Sequence, residues 1–217
     1  MKVLAISATL LVAALSAQTA RAGDDDPYNR PGGYMGVAAS IGVGLFAGSV
    51  KDAFGSSDSS VGDSWGANAR AGYRFNRFLA AEVEYEWMRD FSMNVENAPT
   101  VPNSSGSVNI GKVQEQTVTA NLKVIAPYGA FQPYFLAGMG AIFPTVNKSD
   151  NINYNITNGA FAGRFGAGID YWVTQNLSLN LGAEVVVSSA KVSVPGVSGS
   201  GRGIDYLSGQ FGFGYRF

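Results

Sequence analysis

Eight times along the chain, apolar side chains recur at every second position for about 10 to 14 residues, and no other feature restricts the fold as much. Between Tyr34 and Phe46 one parity carries Met35, Val37, Ala39, Ile41, Val43 and Leu45, while the other carries Gly36, Ala38, Ser40, Gly42 and Gly44. A strand sends alternate residues to opposite faces, so one face is apolar and the other small. The pattern returns from Trp65 to Phe75, Leu79 to Trp87, Val118 to Val124, Phe135 to Phe143, Phe161 to Tyr171, Leu177 to Val187 and Leu207 to Phe217. In the third of these, Glu82, Glu84 and Glu86 share the face opposite Val83, Tyr85 and Trp87; on a helix they would spread over two sides.

Strand length separates the possible all-β folds. Soluble sheets use strands of about 5 to 6 residues. Some 11 residues at ~3.4 Å, tilted ~45°, climb roughly 26 Å, which matches the ~25 Å apolar band of a membrane barrel. Connections alternate as well: polar segments at 47–63, 90–112, 146–159 and 189–204 are long, whereas Asn76-Arg77, Pro127 to Gln132 and Thr174-Gln175-Asn176 are short. Long loops on one side and tight turns on the other fit a barrel crossing an outer membrane. Pro99, Pro102, Pro127, Pro133, Pro144 and Pro195 are expected in connections or at strand ends, where no ladder bond is lost. The expected fold is therefore all-β: an eight-stranded antiparallel up-and-down transmembrane barrel, closed so that no edge meets hydrocarbon.

The first residues read differently. Lys2 precedes an apolar run from Val3 to Ala17, then Ala20-Arg21-Ala22, the form of a secretory signal peptide cut after Ala22 with Ala20 and Ala22 at the specificity positions. The expected organisation is a cleaved signal over 1–22, a short polar arm over 23–32 and the barrel over 33–217. Without Lys2 and Arg21 the 15 basic residues fall to 13 against 16 acidic ones, about −3 overall.

Composition then narrows the chemistry. The chain has no His and no Cys, which removes the usual general base, zinc ligand and nucleophile pairs, so no catalytic, cofactor-binding or metal-binding residue is assigned. Glu84 and Glu86 could be read as a glycosidase acid and base, but an eight-stranded lumen offers no cleft for a sugar. The Gly-x-Gly pairs at Gly42/Gly44, Gly138/Gly140, Gly166/Gly168 and Gly212/Gly214 lie within strands and open no helix, so they are small residues that let a narrow barrel close and not phosphate cradles. No basic excess marks a nucleic-acid partner.

The C-terminal run Gly209-Gln210-Phe211-Gly212-Phe213-Gly214-Tyr215-Arg216-Phe217 resembles that of the eight-stranded outer-membrane barrels of Gram-negative bacteria: the OmpA transmembrane domain, OmpX and the opacity-like porin family. The resemblance implies that Phe211, Phe213, Tyr215 and Phe217 form the signal read by the barrel assembly machinery. Phe165 to Tyr171, followed by Thr174-Gln175-Asn176-Leu177-Ser178-Leu179, is similar to the turn between the sixth and seventh strands of these barrels. OmpA continues into a peptidoglycan-binding domain, whereas this sequence ends at its eighth strand, so no cell-wall tether is expected.

Parity places Arg70, Arg74, Glu82, Glu84, Glu86, Glu115, Lys123, Arg164, Asp170, Glu184 and Arg216 inside, six acids against five bases that are expected to neutralise one another. Counting from the short turns puts Arg70 about opposite Glu82 and Arg164 diagonal to Glu184. Tyr73, Phe78, Tyr134, Tyr171, Tyr215 and Phe217 toward the turns, and Phe46, Trp87, Phe91, Phe143, Phe161 and Tyr206 toward the loops, are expected to form two interfacial girdles. The functional expectation is a monomeric, non-enzymatic barrel in the cell outer membrane, partnered by outer-membrane lipid and the assembly machinery. It would support the envelope and present Ser-, Asn- and Gly-rich loops to an extracellular or host ligand. A narrow pore for small or hydrophobic solutes and a soluble periplasmic ligand-binding barrel are the alternatives.

Overall fold

The structure, a computed structural model, describes residues 26–54, 58–96, 107–148, 155–156, 159–190, 192–193 and 203–217. The proposed signal peptide, with Ala20 and Ala22, lies outside them, as do Pro99, Pro102 and Pro195. Eight long strands follow in chain order: β1 (Gly32–Gly44), β2 (Asp63–Arg74), β3 (Leu79–Glu96), β4 (Ser107–Ile125), β5 (Phe131–Lys148), β6 (Ala160–Trp172), β7 (Leu177–Ser188) and β8 (Tyr206–Arg216). Each pairs antiparallel with the next, and β8 returns to β1 in continuous register from Tyr34↔Arg216 to Gly44↔Tyr206. The sheet is closed, so every strand has two hydrogen-bonded neighbours and no edge is left for hydrocarbon to face.

Alternation decides which side each residue takes. Met35, Val37, Ile41 and Val43 point outward and are exposed, Ile41 at 72%, while Ala38, Ser40 and Gly42 between them are buried. Val83, Leu122, Phe135, Met139, Phe165, Leu181, Phe211 and Phe213 continue the exposed apolar surface around the barrel. In water such a surface would be an aggregation site; against lipid it is the solvent-facing side. Among the described residues no helix is long and apolar enough to cross a membrane. The turns on one side are tight. Asn76 accepts the Phe78 and Leu79 amides on its side-chain oxygen at 2.8 and 2.9 Å, and Thr174 Oγ1 accepts those of Asn176 and Leu177 at 3.3 and 3.0 Å.

On the opposite side the strands run on where the sequence suggests loops. Much of the 90–112 segment is strand: β3 and β4 stay paired up to Glu96↔Ser107. Two bulges make this possible. Arg89 and Asp90 on β3 face Gln114 alone, and Ile110 is inserted on β4 beside Gly111, whose φ of 144° suits glycine. The first bulge shifts the parity of β3, turning Phe91, Met93 and Val95 inward. The 47–63 segment likewise contains a helix, α1 (Ala47–Phe54), and a short strand, Asp58–Val61, paired with the far end of β3. Asn155–Ile156 pairs with Val192–Ser193 in the same region.

Other placements also differ from the sequence reading. Pro133 and Pro144 lie inside β5, yet each stands where one neighbour has ended: β4 pairing stops at Ile125↔Tyr134 and β6 pairing at Ile142↔Ala160. Phe46, Phe91, Tyr134 and Tyr206 are buried inside the barrel and join no girdle. Tyr73, Tyr171, Tyr215 and Phe217 at the turn side, with Phe143 and Phe161 at the loop side, are exposed on the outer surface. Phe78 and Trp87 are half-buried, Trp87 edge-on to the exposed Trp65 at 5.8 Å.

Candidate functional site: the closed lumen

All eleven charged residues selected by parity point into the barrel. Ten are 5% exposed or less, and the Asp170 side chain is 13% exposed. They fall into two layers along the axis, one acidic and one basic, and an apolar layer lies beyond them at the loop end.

The middle layer is acidic and centred on one guanidinium. Arg164 of β6 reaches Glu84 Oε1 at 3.0 Å and Glu184 Oε2 at 2.5 Å through Nη1, and Glu86 Oε2 at 3.0 Å through Nη2. Uncharged groups complete the carboxylate shells. Tyr206 and Ser208 hydroxyls donate to Glu86 at 2.9 and 2.6 Å, Asn121 donates to Glu84 at 3.2 Å, and Gln210 donates to Glu184 while accepting from Asn68. Glu115 lies just above, fully buried, and neither of its carboxyl oxygens has a hydrogen-bond partner among the described residues.

Toward the turns the layer is basic. Lys123 Nζ sits 2.6 Å from Asp170 Oδ2 and 3.7 Å from the centre of the Tyr134 ring. Asn180 donates to the other Asp170 oxygen at 2.7 Å and to the Tyr134 hydroxyl at 2.9 Å. Among the described residues Arg74 and Arg216 form no salt bridge and are held mainly by carbonyls. Arg74 donates to the carbonyl oxygens of Asn76, Arg77 and Tyr28 and to Gln132 Oε1; Arg216 donates to those of Pro27, Tyr28, Arg30 and Gln175. The residues just before β1, expected to be a free polar arm, thus fold back across the turn-side mouth. Trp172 closes it from the other wall, its ring 4.2 Å from the Arg216 guanidinium and its Nε1 donating to Gln132 at 3.0 Å.

At the loop end the interior is apolar. Phe46, Val50, Met88, Phe91, Met93, Ile110, Val113, Ile142, Val186, Ile204 and Tyr206 form one buried cluster, with Phe91 edge-on to Phe46 at 6.1 Å and 6.0 Å from Tyr206. Helix α1 and the segment before β8 supply Val50 and Ile204, so loop residues cap the barrel.

Of the two pairs expected from turn counting, Arg164 with Glu184 is present. Arg70 with Glu82 is not: the register sets Arg70 opposite Glu84, and Glu82 instead accepts the Tyr34 hydroxyl at 2.7 Å. The hairpin is offset by two residues from the count, which preserves the face but changes the neighbour. Sequence reasoning also passed over Tyr34, Asn121, Gln132, Trp172, Asn180, Tyr206 and Gln210 as network members, although the inward parity of each strand already selects them.

A closed eight-stranded barrel with a lipid-facing belt, a packed interior and one side of tight turns is an integral outer-membrane β-barrel. The chain belongs to the family of the outer membrane protein beta-barrel domain, whose model matches residues 7–217, and it is an outer-membrane protein; the water-soluble barrel is thereby set aside. No curated protein is significantly similar to it in sequence. Among solved structures it resembles the outer membrane protein OprG from Pseudomonas aeruginosa, at 15% identity and a TM-score of 0.60, covering 89% of this chain and 99% of that one. It also resembles the outer membrane protein AlkL in lipid bilayers (18%, TM-score 0.59, 90% and 92% covered) and Neisserial surface protein A (14%, TM-score 0.58, 87% and 99% covered). At these identities the likeness is one of fold.

Proposed function

We propose that the protein is a non-conducting, non-enzymatic barrel that supports the envelope and acts at its extracellular end, through contact with a partner outside the cell. The observation that carries this reading is the double closure of the lumen. Any solute would have to separate Arg164 from three carboxylates and then cross the Phe46, Phe91 and Tyr206 cluster. The loop end supports the second half of the proposal. The 18 residues of β3 at ~3.4 Å, tilted ~45°, climb roughly 43 Å, well beyond a ~25 Å apolar band, and α1 and the Asp58–Val61 strand pack on that extension. A loop region with its own buried core is a platform on which contact residues can be held in place. The exposed aromatic row Phe211, Phe213, Tyr215 and Phe217 on β8, the strand that closes onto β1, supports recognition by the assembly machinery.

The test is single-channel recording in planar bilayers. The refolded protein is expected to give no resolved current steps at moderate voltage, and adhesion of expressing cells to a host or matrix surface is expected to fall when the tip joining β3 to β4 is shortened. Reproducible unitary steps, with adhesion unchanged, would overturn the reading in favour of a narrow pore.

A further inference from the structure

The turn-side half of the lumen carries more positive charge than its neighbours neutralise. A cavity of about 30 Å³ opens there between Arg70, Arg74, Lys123 and Arg216, with Asp170 as the one carboxylate on its wall. Both oxygens of Asp170 are already engaged, by Lys123 at 2.6 Å and Asn180 at 2.7 Å. Arg74 and Arg216 spend their donors on backbone carbonyls and on Gln132 and Asn29 side-chain oxygens, which satisfy hydrogen bonds but cancel no charge. Arg70 is 5% exposed, and its Nη1 has no hydrogen-bond partner among the described residues. Two further carboxylates act on these cations: Glu82, near Arg70 and Lys123, has one oxygen taken by Tyr34 and the other without a partner among the described residues, and Asp26 acts on Arg74 and Arg216, so four cations face three anions.

A buried cation without a counter-charge is costly, and a polar cavity of this size holds one or two water-sized species. From the cavity, the unpartnered Arg70 nitrogen and the local charge excess, we infer that this half of the barrel is a binding site for a single small halide ion, chloride being the common one. The ion is held by Arg70 Nη1 and by the summed field of Arg74, Lys123 and Arg216. It offsets the one positive charge left over in the turn-side layer.

Two measurements on the full chain test this. Crystals grown in bromide are expected to show an anomalous peak in the cavity at hydrogen-bonding distance from Arg70, absent in Arg70→Gln. In lipid vesicles at constant ionic strength, replacing gluconate with bromide or chloride is expected to raise the urea midpoint in a saturable way, as for any ligand that binds only the folded state. Arg70→Gln should lose that dependence and Arg70→Lys should keep part of it. If Arg70→Gln does not fold, the wild-type crystal and halide titration decide alone. An empty cavity with Arg70 swung onto Glu82, a water in place of bromide, or a wild-type midpoint indifferent to the anion overturns the inference.

Discussion

Replacing Arg164 by Met is the sharpest test of how the lumen is held. Met keeps an unbranched apolar stem but ends short of the guanidinium, so the group that contacts Glu84, Glu86 and Glu184 at 3.0, 3.0 and 2.5 Å is lost. All four residues are 0 to 1% exposed, so water cannot take over its role. Breaking a buried pair by removing one partner costs about 3–5 kcal/mol. Three carboxylates share the loss, but they need not each incur it, because Tyr206, Ser208, Gln210 and Asn121 still donate to them. The expected destabilisation is therefore in the same ~3–5 kcal/mol range and not three times that. With a urea slope of ~2 kcal/mol per molar, the unfolding midpoint falls by about 1.5–2.5 M. The assay is reversible urea unfolding in lipid vesicles, followed by tryptophan fluorescence and by the gel shift between folded and boiled protein. Combining Arg164→Met with Glu84→Gln and Glu184→Gln should recover part of the loss, because two of the three carboxylates left without their counter-charge are neutralised. A midpoint within about 0.3 M of wild type, or no recovery in the triple variant, would refute the claim that Arg164 is the counter-charge of the acidic layer.

Two further outcomes follow from geometry elsewhere. A Cβ at Gly140 would overlap the Val118 carbonyl oxygen on the neighbouring strand, so Gly140→Val should cost at least the ~1–3 kcal/mol of an overpacked core and reduce the folded, fast-migrating band on unboiled gels. Deleting residues 27–30 removes the carbonyls of Pro27, Tyr28 and Arg30 from Arg74 and Arg216. It should lower the urea midpoint by an amount equivalent to ~2–4 kcal/mol, since hydrogen bonds to charged groups count for ~1.5–3 each and water replaces part of them; an unchanged midpoint would mean the segment is only draped over the mouth.

Parity made most of this fold legible. Eight outward apolar rows and the inward position of all eleven charges can be read from a count of two, because a strand offers a side chain only two directions. The count fails where a residue is inserted. Beyond Trp87 the alternation breaks at Met88-Arg89-Asp90, and in sequence a phase slip looks the same as the start of a loop. Phe91 consequently shares its odd number with the lipid-facing Tyr85 but points inward. Phe46, Tyr134 and Tyr206 differ for another reason: aromatic type near a strand end suggests a girdle, but their parity is inward and parity decides. The partners of Arg164 show a third limit. Counting from turns reaches only adjacent strands such as β6 and β7, while Glu84 and Glu86 stand on β3, across the lumen. A contact across a closed barrel depends on tilt and stagger, which a pairwise register does not contain.

The order of layers along the axis bears on how the barrel can change. At the turn side, closure depends on guanidinium groups bonded to main-chain carbonyls, which constrain backbone position and tolerate little movement. At the loop side it depends on side-chain packing around Phe91, to which α1 and the residues before β8 contribute directly. Apolar packing accepts substitutions of similar volume for less than about 1.5 kcal/mol, so the capped end can be rebuilt while the charged layers below remain intact. Exposed positions on α1 and on the β3–β4 extension, such as Lys51, Asp52, Arg89 and Lys112, are then free to vary, provided Val50, Met93 and Ile110 beneath them keep the cap filled. On the proposed function, recognition and closure belong to opposite sides of the same segments, and a variant that alters binding without altering the urea midpoint is expected to map to the outer side alone.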